Sequence, residues 1–305
     1  MAQVNGSTLR HLASRWHAAE KLMARMGVLP LLLVRLFPSV AVPVEVVVAH
    51  YSEDYSWLEA YRDEGTAFTV YTKSGRPMEN TTALPNVGRE SHTYLFHICS
   101  NYNSLAEWTV FTPAVRPAWG IDIMQPARSG HLSDMVTFAD YLRPFPDGKD
   151  SFFVLSKATR FPSVHDTTRL GYILPGAKKG KGMCPEKGAK GWTPWNLEPT
   201  HPHNRRTKSS RSLLDFYHSL IALDEPDEGP LVLAYAQGAR FAVSRERILQ
   251  RPLEYYADLL LSLSSDVDPQ EGYWVEASWY DIFHPEALQS QNPPCQLPTT
   301  NGLKP

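Results

Sequence analysis

Cysteine is scarce in this chain: Cys99, Cys184 and Cys295 are the three in 305 residues, far apart and odd in number. That pattern excludes a disulfide framework and leaves no CxxC knuckle for a structural metal. An excess of charge of one sign is also missing. A formal net charge of -2 and a pI near 6.6 argue against a nucleic-acid coat and against strong adsorption to membranes, so the expected partner is a small molecule and not a nucleic acid. No uninterrupted apolar run reaches the roughly 18 residues of a spanning helix. Gly-x-Gly-x-x-Gly, Walker A and Gly-x-Ser-x-Gly are all absent, which removes the usual grounds for a dinucleotide oxidoreductase, a P-loop NTPase or a serine hydrolase. His201-Pro202-His203 has no carboxylate or cysteine at coordinating spacing, and no metal is expected there.

The 43% hydrophobic content is ample for a core in one large domain. Residues 1–43 read as a lead-in: a basic amphipathic stretch from Leu9 to Met26 with Arg10, Arg15, Lys21 and Arg25, then an apolar run interrupted by Pro30, Arg35 and Pro38. It suits a helix packed on the domain, or a weak peripheral membrane contact, on a protein expected in the cytoplasm.

What the chain has in quantity is chemistry crowded into one passage, Pro85-Asn86-Val87-Gly88-Arg89-Glu90-Ser91-His92-Thr93-Tyr94-Leu95-Phe96-His97-Ile98. Asn86 suits an N-cap and Gly88 a turn, so a helix is expected to start near Gly88 or Arg89. Tyr94, Leu95, Ile98, Cys99 and Tyr102 recur at helical spacing and form its buried stripe, which makes Cys99 a core residue. Arg89, Glu90 and His92 then occupy the first turn, where free backbone N–H groups and the helix dipole favour an anion. The plainer alternative is that Arg89 and Glu90 only make ion pairs that pin the helix.

Val44-Glu45-Val46-Val47-Val48-Ala49-His50 reads as a central strand, with Glu53 and Asp54 following at its carboxyl end, where ligands of open α/β sheets collect. Phe68–Lys73 and Trp108–Thr112 read as further strands, and the strand-helix rhythm predicts a single mixed, mostly parallel sheet flanked by helices over residues 44–284. Residues 176–211 read as a long basic loop insertion: Lys178, Lys179, Lys181, Lys187, Lys190, Arg205, Arg206 and Lys208 are opposed by Glu186 and Glu198 alone. Either it is a solvated loop or it covers an anionic substrate. A helix from Ser212, a strand at Leu231–Tyr235, Ser244 as an N-cap and an amphipathic helix at Leu253–Leu263 follow, and residues 285–305 read as a disordered tail.

The order of Val47–Leu58, Tyr71-Thr72-Lys73, the Asn86–Ile98 motif, Trp108–Phe111 and Phe241–Glu246 resembles a mainly fungal family catalogued only as a domain of unknown function. Its Val-rich strand ending in acid, Asn-x-Gly-Arg motif and late Gly-x-x-Phe-x-Val segment are similar to GT-A type glycosyltransferases. That resemblance implies a nucleotide-sugar site with Asn86, Gly88, Arg89, Tyr94, Glu53, Asp54 and Arg240 binding substrate and Glu90 or His92 handling a proton. The chain departs from its relatives at Phe111-Thr112-Pro113-Ala114, where they read Phe-Leu-Gln-Gly, and at Arg240, where they carry Gln. No Asp-x-Asp follows the third strand, which speaks against a metal-dependent sugar transferase. No cofactor is assigned. Three readings stand: a glycosyltransferase-like enzyme, a metal-independent tailoring enzyme using Glu90 and His92, and a binding protein that keeps the fold.

Overall fold

The computed structural model describes residues 43–117, 136–144, 150–154, 157–161, 172–174, 193–194, 207, 209–224, 231–236 and 238–286. The lead-in apart from Pro43, nearly all of the 176–211 insertion, His201 and His203, and the tail beyond Glu286 lie outside these residues.

The principal sheet has six strands in the order β3-β2-β1-β4-β10-β5. β1 (Val44–His50) lies in parallel between β2 (Thr66–Thr72) and β4 (Trp108–Pro113), in registers that pair Val44 with both Thr66 and Trp108. β3 (Thr81–Ala83) adds in parallel outside β2. β10 (Phe241–Ser244) runs antiparallel between β4 and β5 (Ser151–Phe153). The sheet is therefore mixed and mostly parallel, and the chain is an α/β protein. β1 is a β-branched run because both its faces are covered. Val44, Val46 and Val48 join one core with Trp108, Val110, Phe138 and Phe152, while Val47 and Ala49 join the other with Tyr94, Phe111, Phe241 and Trp279.

Helix α1 (Arg89–Asn101) carries the chain from the end of β3 back to the start of β4, so its N-terminus stands at the carboxyl rim of the parallel strands. The other face of the sheet is covered by a 3-10 helix, Ser56–Tyr61, and by α2 (Phe138–Tyr141), where Trp57, Tyr61 and Phe138 meet edge-on with ring centroids 4.9–6.1 Å apart. α3 (Leu213–Phe216) widens into a π-helical turn, Tyr217–Ala222, and is followed by α4 (Arg245–Ile248), α5 (Leu253–Ser262) and α6 (Gln270–Phe283). Helices α1, α5 and α6 share one core, and α6 brings Trp279 and Phe283 against Phe241 at 5.1 and 5.6 Å. Ser244 caps α4, accepting from the Arg247 amide at 3.1 Å, as the sequence predicts.

A second, antiparallel sheet, β8-β7-β6-β9, pairs β6 (Lys157–Phe161) with β7 (Tyr172–Leu174) and β9 (Leu231–Tyr235), with β8 (Thr193–Pro194) outside β7. The sequence reading places β9 but not this sheet, because β6 to β8 are short and lack an alternating apolar face. Among the described residues no helix is long and apolar enough to cross a membrane.

Candidate functional site

Strand order reverses beside β1: the chain steps outward to β2 and β3, then returns through α1 to β4 on the other side. Loops leaving β1 and β4 diverge at such a switch point, and the opening outside their carboxyl ends is where open α/β sheets take ligands. Backbone bonds lock that rim. The amide of Lys73 donates to the His50 carbonyl at 2.9 Å, that of Leu84 to Thr72 at 2.8 Å, and that of Ala114 to Ala49 at 2.8 Å. The Trp57 indole N–H donates to the Ala114 carbonyl at 2.8 Å and fastens the loop after β1 across the end of β4.

That loop carries Glu53 and Asp54, both exposed. One Glu53 oxygen, Oε2, accepts from the Tyr51 and Ser52 amides at 2.8 and 3.0 Å, so this carboxylate closes the loop on itself, while Oε1 accepts no bond among the described residues. Asp54 accepts from the amide and hydroxyl of Ser56 at 2.9 and 3.0 Å, and those bonds hold its carboxyl below the usual range.

The start of α1 is unusual. Asn86 is exposed and is not the cap. Gly88 is, at φ 59°, with no side-chain cap, and Arg89 follows at φ 51°. Two successive left-handed residues turn the chain more tightly than an Asn cap would. A Cβ on Gly88 would lie 2.7 Å from the Leu263 carbonyl and 2.8 Å from the Leu263 and His92 Cβ atoms, so glycine is required on steric grounds as well. The Gly88 amide is spoken for by the Asp266 carbonyl at 2.8 Å.

Arg89 projects from this turn with its side chain 46% exposed, 3.3 Å from Glu90 and 3.5 Å from Asp268. These are long, solvent-screened pairs that leave the guanidinium reachable. Burial raises the Glu90 pKa, but Arg89, its own amide and Lys73 outweigh that and keep the carboxyl ionised. His92, one turn on, is fully buried; neither ring nitrogen has a hydrogen-bond partner among the described residues, and burial with nearby Lys73 brings its pKa down to about 3. The imidazole is neutral at physiological pH. Tyr94 is fully buried too, in the core against Phe111, Phe241 and Trp279, and its hydroxyl has no hydrogen-bond partner among the described residues.

Arg240 precedes β10. Because that strand runs antiparallel, its start lies at the same rim. The side chain is 1% exposed; Nε donates to Thr112 Oγ1 at 2.9 Å and a terminal nitrogen donates to the Val115 carbonyl at 3.2 Å. Arg240 thus ties the start of β10 to Thr112 near the end of β4. Glu276 reaches the rim from α6 and accepts from the Gly238 amide at 3.1 Å.

The structure therefore brings Glu53, Asp54, Asn86, Gly88, Arg89 and Glu90 to one rim, with Arg240, His92 and Tyr94 sealed beneath it. Lys73 is the residue the sequence reading passes over. It directly follows β2, is buried, and donates from Nζ to the Val87 carbonyl at 2.6 Å and to the Arg89 carbonyl. Burial brings its pKa down to about 7, Glu90 pulling it up and Arg89 down. A lysine directly after a strand whose last three residues are buried was the available signal. Two open hollows, of about 540 and 400 Å³, lie at the opposite, amino edge around Glu107 and Ser244 and around Val44 and Thr66, away from these groups. Among the described residues no cluster of histidine, cysteine and carboxylates could hold a metal.

A family model described as Protein of unknown function (DUF3431) matches residues 46–139 and 150–296. No curated protein and no solved structure matches the chain.

Proposed function

The chain belongs to the DUF3431 family, proteins of unknown function, and we propose that within this fold the carboxyl rim binds a nucleotide-sugar and serves a glycosyltransferase-like reaction on a small molecule. The observation that carries the reading is convergence: the switch point beside β1, the N-terminus of a 13-residue helix and the half-exposed Arg89 meet at one rim. In this reading the first-turn amides of α1 and the Arg89 guanidinium hold the diphosphate. The open Oε1 of Glu53 accepts from a sugar or ribose hydroxyl. Glu90, kept ionised by Arg89 and Lys73, is the proton acceptor. His92, neutral and buried, supports the floor and is not the acid.

The test is thermal unfolding with UDP- and GDP-sugars, with and without Mn²⁺. A binder at about a hundred times its Kd stabilises the folded chain by about 2.7 kcal/mol and raises Tm measurably. Arg89→Ala is expected to abolish the shift while leaving the unliganded Tm close to wild type, since its ion pairs are exposed. If none of these ligands moves Tm, the reading fails, and the metal-independent tailoring enzyme or the binding protein takes its place. Glu90→Gln separates those two by whether product formation is lost.

A further inference from the structure

Lys73 is placed where a lysine is hard to keep charged. Its Nζ donates to the carbonyls of Val87 and Arg89, the two that flank the left-handed Gly88. An ammonium has three N–H donors, and these acceptors take two of them. Among the described residues no carboxylate lies within ion-pair distance of Nζ. Around it on α1 stand Glu90, Arg89 and His92, of which Glu90 alone is negative. From β1 the His50 carbonyl meets the Lys73 amide while the His50 ring is bonded to Thr72 at 2.9 Å; from the turn before α6, Asp268 meets Arg89 and not Lys73. The positive end of the helix dipole adds to the deficit of negative charge.

A second observation points the same way. The His92 ring, fully buried, leaves both nitrogens without a partner among the described residues, and its Cβ lies against Gly88, inside the same turn. Buried polar atoms are ordinarily satisfied, so an imidazole with two unused nitrogens beside an under-compensated amine leaves unspent polar capacity directly beneath the start of α1.

We propose that Lys73 is the positioning residue of the anion seat at the start of α1 and that it takes up a proton as a phosphate-bearing ligand binds there, making binding and protonation one linked event. The inference rests on the reading of this rim as a diphosphate site. Lysine gains one proton from solvent, R-NH₂ + H⁺ → R-NH₃⁺, and no other bond changes. A di- or trianion in the seat favours the charged form, and the charged form in turn draws the Val87 and Arg89 carbonyls inward, leaving the first-turn amides to face the ligand. Reciprocity then requires affinity to fall as pH rises, because Lys73 is about half neutral near pH 7 in the unliganded protein.

The experiment is calorimetric titration of the full chain with UDP at about pH 8, in two buffers of different ionisation enthalpy. A terminal phosphate titrates near pH 6, so at this pH proton uptake belongs to the protein. We expect uptake approaching one proton per UDP, and affinity falling by up to about tenfold per pH unit above neutrality until the liganded lysine itself titrates. Lys73→Arg is expected to bind UDP with no proton uptake and a flat pH profile; Lys73→Met is expected to bind at least tenfold more weakly, also without uptake. UDP binding with no uptake in wild type, or uptake that persists in Lys73→Arg, overturns the inference and leaves the site reading standing. No binding of UDP, nor of GDP titrated in the same way, at any pH overturns both.

Discussion

Gly88 holds the turn into α1 by having nothing on its Cα. Gly88→Ala meets two costs together: about 1–3 kcal/mol for a left-handed backbone, and the 2.7 Å approach to the Leu263 carbonyl, which is backbone and cannot swing away. The expected outcome in urea is a loss of 2 kcal/mol or more, read as a lower midpoint at unchanged slope. A neighbouring residue governs acid stability. His92 has a folded pKa near 3 and an unfolded value near 6.5, and His97 and His284 are also lowered by burial. The unfolded chain binds these protons first, so this stability is complete above about pH 6.5 and is lost as pH falls, at up to about 1.4 kcal/mol per unit for each histidine. Asp281, raised to about 6 by burial, works in the opposite sense, its contribution fading as pH rises from about 4 to 6. Three groups against one give a net fall toward acid. His92→Leu is expected to flatten the urea midpoint between pH 4.5 and 6.5, and an unchanged slope would contradict the assignment.

At the scale of elements, α1 is joined to the sheet by the polar strut of His97 and by many rings. His97 Nδ1 lies 3.1 Å from the Tyr71 hydroxyl and its Nε2 lies 3.6 Å from Glu45, which also accepts from Thr69 at 2.6 Å. Phe241 on β10 is the hub of the rings: it stacks on Phe153 at 4.9 Å and meets Trp279, Phe111, Phe283 and Tyr94 within 5.8 Å. Phe241→Ala is therefore expected to cost about 3–5 kcal/mol, measured by denaturant unfolding, because five rings held on four elements cannot close on the gap together. Much of this architecture was legible in the residues. The valines of β1, the periodic stripe of α1 and the Ser244 cap are local patterns, and local patterns are what a sequence displays. Other features are not local. The insertion of β10 between β4 and β5 joins residues far apart in the chain, and the π-helical turn at Tyr217–Ala222 has the same apolar spacing as an α-helix. Asn86 misleads because a cap residue two positions early is displaced by the left-handed pair that follows.

For the whole molecule, the residues singled out in the sequence are gathered mainly by topology. Glu53, Lys73 and Arg89 share a rim because β1, β2 and β3 are parallel and each delivers its following loop to the same side. Arg240 joins them because β10 is not parallel. Lys73 escaped notice since a lysine after Thr72 looks like an ordinary strand end until the fold places two carbonyls beside its amine. β10 has one further consequence. It is the fifth of six slats, yet both slats beside it come from much earlier in the chain, so a cut between β7 and β9 leaves the first fragment with a slot in its sheet and the second with two orphan strands, β10 and the β9 that pairs with β6. Expressed apart, the two fragments should be insoluble; expressed together, they should recover a folded pair, with β10 as the latch that closes one piece onto the other.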